Sequence, residues 1–284
     1  MTGIYDDPWA YELACSFRDV SAEVDVLLAW YAEHRGPGRD TAPATVLELA
    51  AGPAEHAREF ARRGPAATAL DLNPRMCAYA AGEATRADVK VEVVQDDMTR
   101  FDLGRRFDLI ATMLDSTSHL MTLDAFVAHL RRVAAHLSPG GLYIVEMSHP
   151  RDRLGDEPTV STGWTVERGG VHASVRWGEP GDRLDPVTQI ADDHVTMTIT
   201  GDDEAIADGR PRSPGNGGVT AGGVRVLRDV VPYRFWTATE LDAAIRLAGG
   251  LEVVAQYGDF GTGADTVALT GPEAWRMITI LRGA

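Results

Sequence analysis

The sequence predicts an α/β fold: a mostly parallel seven-stranded sheet with helices on both faces, interrupted by a β-rich antiparallel insertion. Three observations carry this. Short apolar runs alternate with helix-period segments through the first half of the 284 residues, the pattern of a parallel sheet covered on both sides. Between Ser148 and about Pro232 the helix period vanishes and short alternating segments replace it. The α/β pattern returns at Thr237, so the insertion sits inside one α/β domain.

Each element has a local reason. Val46–Leu49 is a short apolar strand, and Ala54–Arg63 follows with helical spacing. Ala67–Leu70 is the second strand and ends at Asp71. Asn73-Pro74 then starts a helix, asparagine as cap and proline at the first helical position. Val89–Val94 and Phe107–Thr112 are the third and fourth strands. Asp124–Leu137 is amphipathic, with Phe126, Val127, Leu130 and Val133 on one face. Ser138-Pro139-Gly140-Gly141 reads as a stop, and Leu142–Val145 as the fifth strand. Within the insertion, Val171–Trp177, Val195–Thr200 and Val224–Val231 alternate as strands do, and Asp208–Gly223 is a Gly/Pro-rich loop expected to be mobile. Thr237 and Glu240 have capping-box spacing, and Gly249-Gly250 ends that helix. Leu251–Tyr257 and Arg276–Leu281 close the sheet.

The formal net charge is −15 and the pI about 4.9, which argues against a polyanionic partner such as nucleic acid. No apolar run approaches the roughly twenty residues needed to span a bilayer, so no membrane partner is expected. Cys15 and Cys77 cannot make a disulfide framework, and the N-terminus lacks an export signal, so a cytoplasmic location is expected.

The turn after the first strand decides the cofactor. A dinucleotide site would carry G-x-G-x-x-G and a P-loop would carry Gly-Lys-Ser/Thr; neither is present. A ligand without a diphosphate asks less of the backbone. The stretch Glu48-Leu49-Ala50-Ala51-Gly52-Pro53-Ala54 resembles the first motif of class I S-adenosylmethionine-dependent methyltransferases, an acidic residue followed by three alternate glycines. Glu48 and Gly52 match; Ala50 and Ala54 depart. The resemblance covers Val46 to Val145 and again Thr237 to Leu281, and it implies a Rossmann-like core of 41–147 and 233–284 under an insertion of 148–232. It implies that Asp71 accepts the ribose hydroxyls of S-adenosyl-L-methionine. It places Asp97, or Asp96, on the adenine amine with Met98 packed on the ring, and lays Leu72, Met76 and Leu114 along the cofactor. Residues 1–40 resemble the N-terminal helical lid of bacterial small-molecule methyltransferases, with Arg18 and Tyr11 as candidates for the methionine tail.

Methyl transfer needs alignment above all, and a base where the nucleophile holds a proton. His119, Asp115 and Glu146 are the candidate bases, with His149 behind them; all four follow the fourth and fifth strands, where one cleft would gather them. No metal-ligand pattern appears. Trp164, Trp177, Tyr233, Phe235 and Trp236 are candidates to line an acceptor pocket, and most of them are read as the insertion's own core. The leading function is methyl transfer to N or O of a small-molecule acceptor, as in secondary metabolite biosynthesis. Two alternatives stay open: cyclisation of the cofactor with release of methylthioadenosine, and a non-catalytic partner subunit. A homodimer is equally open.

Overall fold

In chain order, the protein runs α1 (Pro8–Cys15), α2 (Val20–His34), β1 (Thr45–Leu49), α3 (Glu55–Arg63), β2 (Ala66–Asp71), α4 (Pro74–Arg86), β3 (Val91–Gln95), β4 (Phe107–Thr112), α5 (Leu123–His136) and β5 (Leu137–Ser148). A four-residue α6 (Arg151–Leu154) leads into β6 (Thr162–Arg168), β7 (Val171–Trp177), β8 (Ile190–Gly201) and β9 (Val224–Arg234). Then come α7 (Ala238–Ala248), β10 (Leu251–Tyr257) and β11 (Arg276–Gly283). The structure is a computed structural model that describes residues 3–155, 158–201 and 223–283; the Gly/Pro-rich stretch lies outside them, apart from Gly223.

The main sheet has seven strands in the order β10-β11-β5-β4-β1-β2-β3. Its strands are parallel except β11, which runs antiparallel to both neighbours. Successive strand side chains point to opposite faces, and the two faces bury different sets. Leu47, Ile110, Tyr143 and Val145 pack with Phe126 and Leu130 of α5 and Leu241 of α7. Val46, Leu109, Ala111, Leu142 and Ile144 pack with Leu27 and Trp30 of α2, Phe60 of α3 and Ala80 of α4. Burial on both faces is why these strands read as unbroken apolar runs.

The helix starts follow their capping residues. The Asn73 side chain accepts the Arg75 N–H at 2.8 Å with Pro74 in the first turn. Thr237 and Glu240 cap each other reciprocally, at 3.2 and 3.0 Å.

The insertion is a four-stranded antiparallel sheet, β6-β7-β8-β9. Its inner face (Val171, Val175, Met197, Ile199, Leu227) packs on Ile4 and on Ala10 and Leu13 of α1. The N-terminal segment is thus covered by the insertion sheet and also meets α4.

Two local readings need correction. The helix does end before Ser138–Gly141, at His136, but the fifth strand begins at Leu137 and not at Leu142, and a register shift against β4 absorbs these residues. Thr162–Arg168 is a strand that the pattern missed. It lies at the edge of its sheet, and Val166 is its one fully buried side chain, so no alternation marks it.

Candidate active site

The strand order reverses between β1 and β4, and at such a point the carboxyl ends of the strands open a crevice. A cavity of about 1130 Å³ occupies it, lined from the ends of β1 to β5, the N-terminal segment and the insertion. Single-ligand pockets run roughly 300–1,000 Å³, so this one has room for a cofactor and an acceptor together.

The turn from β1 to α3 shapes one wall. Ala50, Gly52 and Ala54 all take left-handed backbone, with φ of 51°, 52° and 60°. The two alanines thus hold the conformation that glycine adopts freely, at roughly 1–2 kcal/mol each. At Gly52 an added Cβ would lie 3.7 Å from Tyr11 Cε1 and 4.0 Å from Met76 Sδ. The Asp71 carboxylate accepts one backbone N–H on each oxygen, Gly52 at 2.7 Å and Asn73 at 2.8 Å. Each oxygen keeps a lone pair, so the group can still take a vicinal diol. Burial pushes the Asp71 carboxyl above its ordinary range, against those two N–H donors.

Asp71, Leu72, Met76, Asp96, Asp97, Met98, Leu114, Ala50, Gly52 and Tyr11 all line the cavity. Asp97 Oδ1 accepts from the Thr99 backbone and hydroxyl, at 2.8 and 2.7 Å, and Asp96 Oδ1 accepts the Asp97 N–H at 2.8 Å. His129 anchors this loop from behind, with Nδ1 3.1 Å from the Met98 carbonyl and Nε2 2.8 Å from the Tyr143 hydroxyl. Burial pushes His129 down to about 4, so the ring is neutral and donates through Nδ1.

Glu48, Arg18 and Glu146 are not on the large cavity. They belong to a buried ionic cluster beneath the turn. Arg18 donates to Glu23 at 2.7 Å and to both Glu146 oxygens at 2.9 Å. Arg276 donates to Glu146 at 2.6 Å, and Glu146 also accepts the Leu114 N–H at 2.9 Å. His56 lies 3.0 Å from Glu23 and 3.4 Å from Glu48, whose other oxygen accepts the Ala57 N–H at 2.8 Å. Burial opposes a charge on His56, but its hydrogen bonds to Glu23 and Glu48 outweigh burial and push it up to about 9. Three cations then face three carboxylates. The sequence reading of Arg18 as a free cation for a ligand carboxylate is corrected, because its guanidinium is spent on Glu23 and Glu146. Glu146 is likewise no exposed base. His149 is turned away too, with Nε2 on the Leu269 carbonyl at 3.0 Å and Nδ1 accepting the Arg151 N–H at 3.1 Å.

Asp115 and His119 do meet in the cavity, carried by a single 3-10 turn at Ser116–His119. Leu114 and Asp115 both have φ of 54°, which swings the chain off β4 and aims Asp115 inward. Its Oδ2 accepts the Ser148 hydroxyl at 2.7 Å, and burial pushes the carboxyl up to about 7 despite that bond. His119 Nε2 lies 3.2 Å from the Tyr5 hydroxyl. Loss of hydration lowers its pKa, so it is neutral near pH 7.

Sequence reasoning missed Tyr5, Ser148, Asp152, Arg153 and Asp193, which also line the cavity. No motif marks them, because they are scattered over the N-terminal turn, the end of β5, α6 and β8. The aromatic residues do both things expected of them: Trp164 and Trp177 pack against the insertion's apolar cluster, Tyr233 and Phe235 pack with Ala191, and all four also line the cavity. Trp236 instead joins the main core, against Phe126 at 4.8 Å. Among the described residues no group of three or more His, Cys, Asp or Glu is placed to hold a metal ion. No helix there is long and apolar enough to cross a membrane.

Residues 46–141 match the family model described as a methyltransferase domain. An N,N-dimethyltransferase of dTDP-3-amino-3,4,6-trideoxy-α-D-glucopyranose from Streptomyces venezuelae is 30% identical over 36% of this chain and 41% of its own. This chain therefore spans about two fifths of that relative's length. A cypemycin N-terminal methyltransferase from a Streptomyces species is 28% identical over 66% of this chain and 69% of its own. Among solved structures, DesVI of Streptomyces venezuelae superposes with a TM-score of 0.71 at 21% identity, over 96% of this chain and 98% of that one; that likeness is one of fold. Residues 46–141 thus match a methyltransferase domain, and the seven-stranded order with the crevice at its reversal is a fold shared with that solved structure.

Proposed function

We propose that the chain transfers a methyl group from S-adenosylmethionine to the nitrogen of a small-molecule amine. The observation that carries this is the Asp71 carboxylate, open to the cavity with one N–H on each oxygen. The names of the relatives above, an amino-sugar and a peptide N-terminal methyltransferase, support nitrogen over oxygen. In this reading residues 1–40 and 148–232 are the two covers of the core, and the described parts of both supply cavity wall.

The cofactor, when bound, supplies a methyl on a positively charged sulfur with a good leaving group. Asp71 and Asp97 hold its ribose and adenine ends, and Met98 and Leu72 pack beside them. Gly52 and Tyr11 leave room for the amino-acid tail. The chain's own contribution is alignment, which can supply roughly 7–11 kcal/mol. An amine that enters as an ammonium must lose a proton before it can attack. Asp115 accepts that proton on its unshared oxygen, and the attacking nitrogen then carries its lone pair. His119, tied to Tyr5, forms the adjoining wall.

The test is to incubate the protein with S-adenosylmethionine and a panel of amines, following products by mass spectrometry. The proposal expects S-adenosylhomocysteine together with an acceptor heavier by one methyl. Acceptor-independent methylthioadenosine would assign the chain to cyclisation of its cofactor instead.

A further inference from the structure

The cavity wall contains eight aspartates, one arginine (Arg153) and no lysine among the described residues. Asp71, Asp96 and Asp97 lie at the cofactor end. Asp115, Asp152, Asp193 and Asp229 lie on the side of β4, β5 and the insertion. The Arg153 charge is matched by Asp193, whose oxygens lie 3.0 and 3.3 Å from its Nη2, and its guanidinium lies over the Tyr233 ring at 5.2 Å; its Nη1 is buried without a partner. Asp229 is taken up by the Ile4 and Val230 N–H groups at 2.8 and 2.9 Å. Asp152 has no donor on its carboxylate among the described residues.

A second feature points to a ligand. Tyr233 is 8% exposed, lines this cavity, and its hydroxyl is buried without a hydrogen-bond partner. A buried unpaired hydroxyl is costly unless something bonds it. Trp164 and Trp177 stand on the same wall, and their π-faces attract cations. Carboxylates with aromatic faces suit an ammonium on an apolar skeleton. A diphosphate would meet eight aspartates with one guanidinium, already matched by Asp193, to pair it.

Resting on the methyltransferase reading, we propose that the acceptor is a cationic amine without phosphate, seated between Asp152, Asp115 and the Tyr233 hydroxyl under Trp164 and Trp177, and that nucleoside-diphosphate-linked amines are excluded. The amine's hydrogens go to the carboxylates and the apolar part lies against the indoles.

The test uses the full chain, with and without S-adenosylhomocysteine, titrated with tyramine, 4-ethylphenol, 4-hydroxyphenylacetate and thymidine diphosphate while indole fluorescence is read. Tyramine is expected to bind at least tenfold more tightly than each of the others. Asp152→Asn is expected to weaken tyramine at least threefold and to leave 4-ethylphenol unchanged; Tyr233→Phe is expected to weaken tyramine as well. Absent tyramine binding, equal affinity for tyramine and 4-ethylphenol, or tighter binding of thymidine diphosphate would each overturn the proposal. S-adenosylhomocysteine affinity is measured separately in the same series. Its absence beside an intact cation preference sinks the cofactor reading alone, and its presence beside a diphosphate preference sinks the acceptor proposal alone.

Discussion

The Asp71 carboxylate accepts the Gly52 N–H at 2.7 Å, joining the end of β2 to the turn that follows β1. One hydrogen bond thus fixes two parts of the candidate cofactor site. It also holds Gly52 at a φ of 52°.

Ala50→Gly is expected to stabilise the protein slightly, by about 0.5 kcal/mol. Relief of left-handed strain, roughly 1–2 kcal/mol, exceeds the added chain entropy of glycine, about 0.4–1 kcal/mol. Gly52→Ala is expected to act oppositely and to weaken cofactor binding. Urea denaturation of both variants checks this; a loss of stability in Ala50→Gly would contradict the strain.

His56 makes stability depend on alkaline pH. Its folded value is about 9, above the ordinary value near 6.5, so the folded state holds a proton that the unfolded chain has released. The stabilisation is complete below about 6.5 and is lost as pH rises through about 9, with a ceiling of about 3 kcal/mol. Unfolding free energies from pH 6 to 10 should fall more steeply for the wild type than for His56→Gln. Parallel curves would show that His56 is neutral in the fold.

Glu146→Gln is expected to destabilise by roughly 3–5 kcal/mol, because Arg18 and Arg276 lose their shared carboxylate in a buried place. Any residual folded enzyme should keep a rate near that of wild type. A fully stable but inactive variant would return Glu146 to the chemistry.

Asp115→Asn is expected to fold and to lose at least 100-fold in rate, within the roughly 10²–10⁴ typical of a general base. His119→Gln should lose less than tenfold. For the wild type, kcat against pH should climb through about 7 as the Asp115 carboxyl ionises and then level off. A profile unchanged in Asp115→Asn would remove the residue from proton transfer.

Much of this was legible in the sequence, for reasons that differ by element. Phe107–Thr112 was read to the residue because an apolar run of that length fits a covered parallel sheet, and Leu251–Tyr257 because Gly249-Gly250 marks the end of the helix before it. Asp71 was legible from its place at the end of the second strand. Arg18 and Glu146 were misassigned because their pairing spans 128 positions, and no local pattern records which charges neutralise one another in the interior. Tyr233 and Trp177 pack in apolar clusters and also line the cavity, two roles that the sequence does not separate. An aromatic side chain that lines a cavity and one that fills a core look alike until the insertion is folded over the cleft.

The central claim is that this cavity holds S-adenosylmethionine through Asp71. Calorimetric titration of the wild type and Asp71→Ala with S-adenosylhomocysteine tests it most directly. One-to-one binding by the wild type, weakened at least tenfold in a variant of unchanged thermal stability, is the predicted result; equal dissociation constants for the two proteins would contradict it.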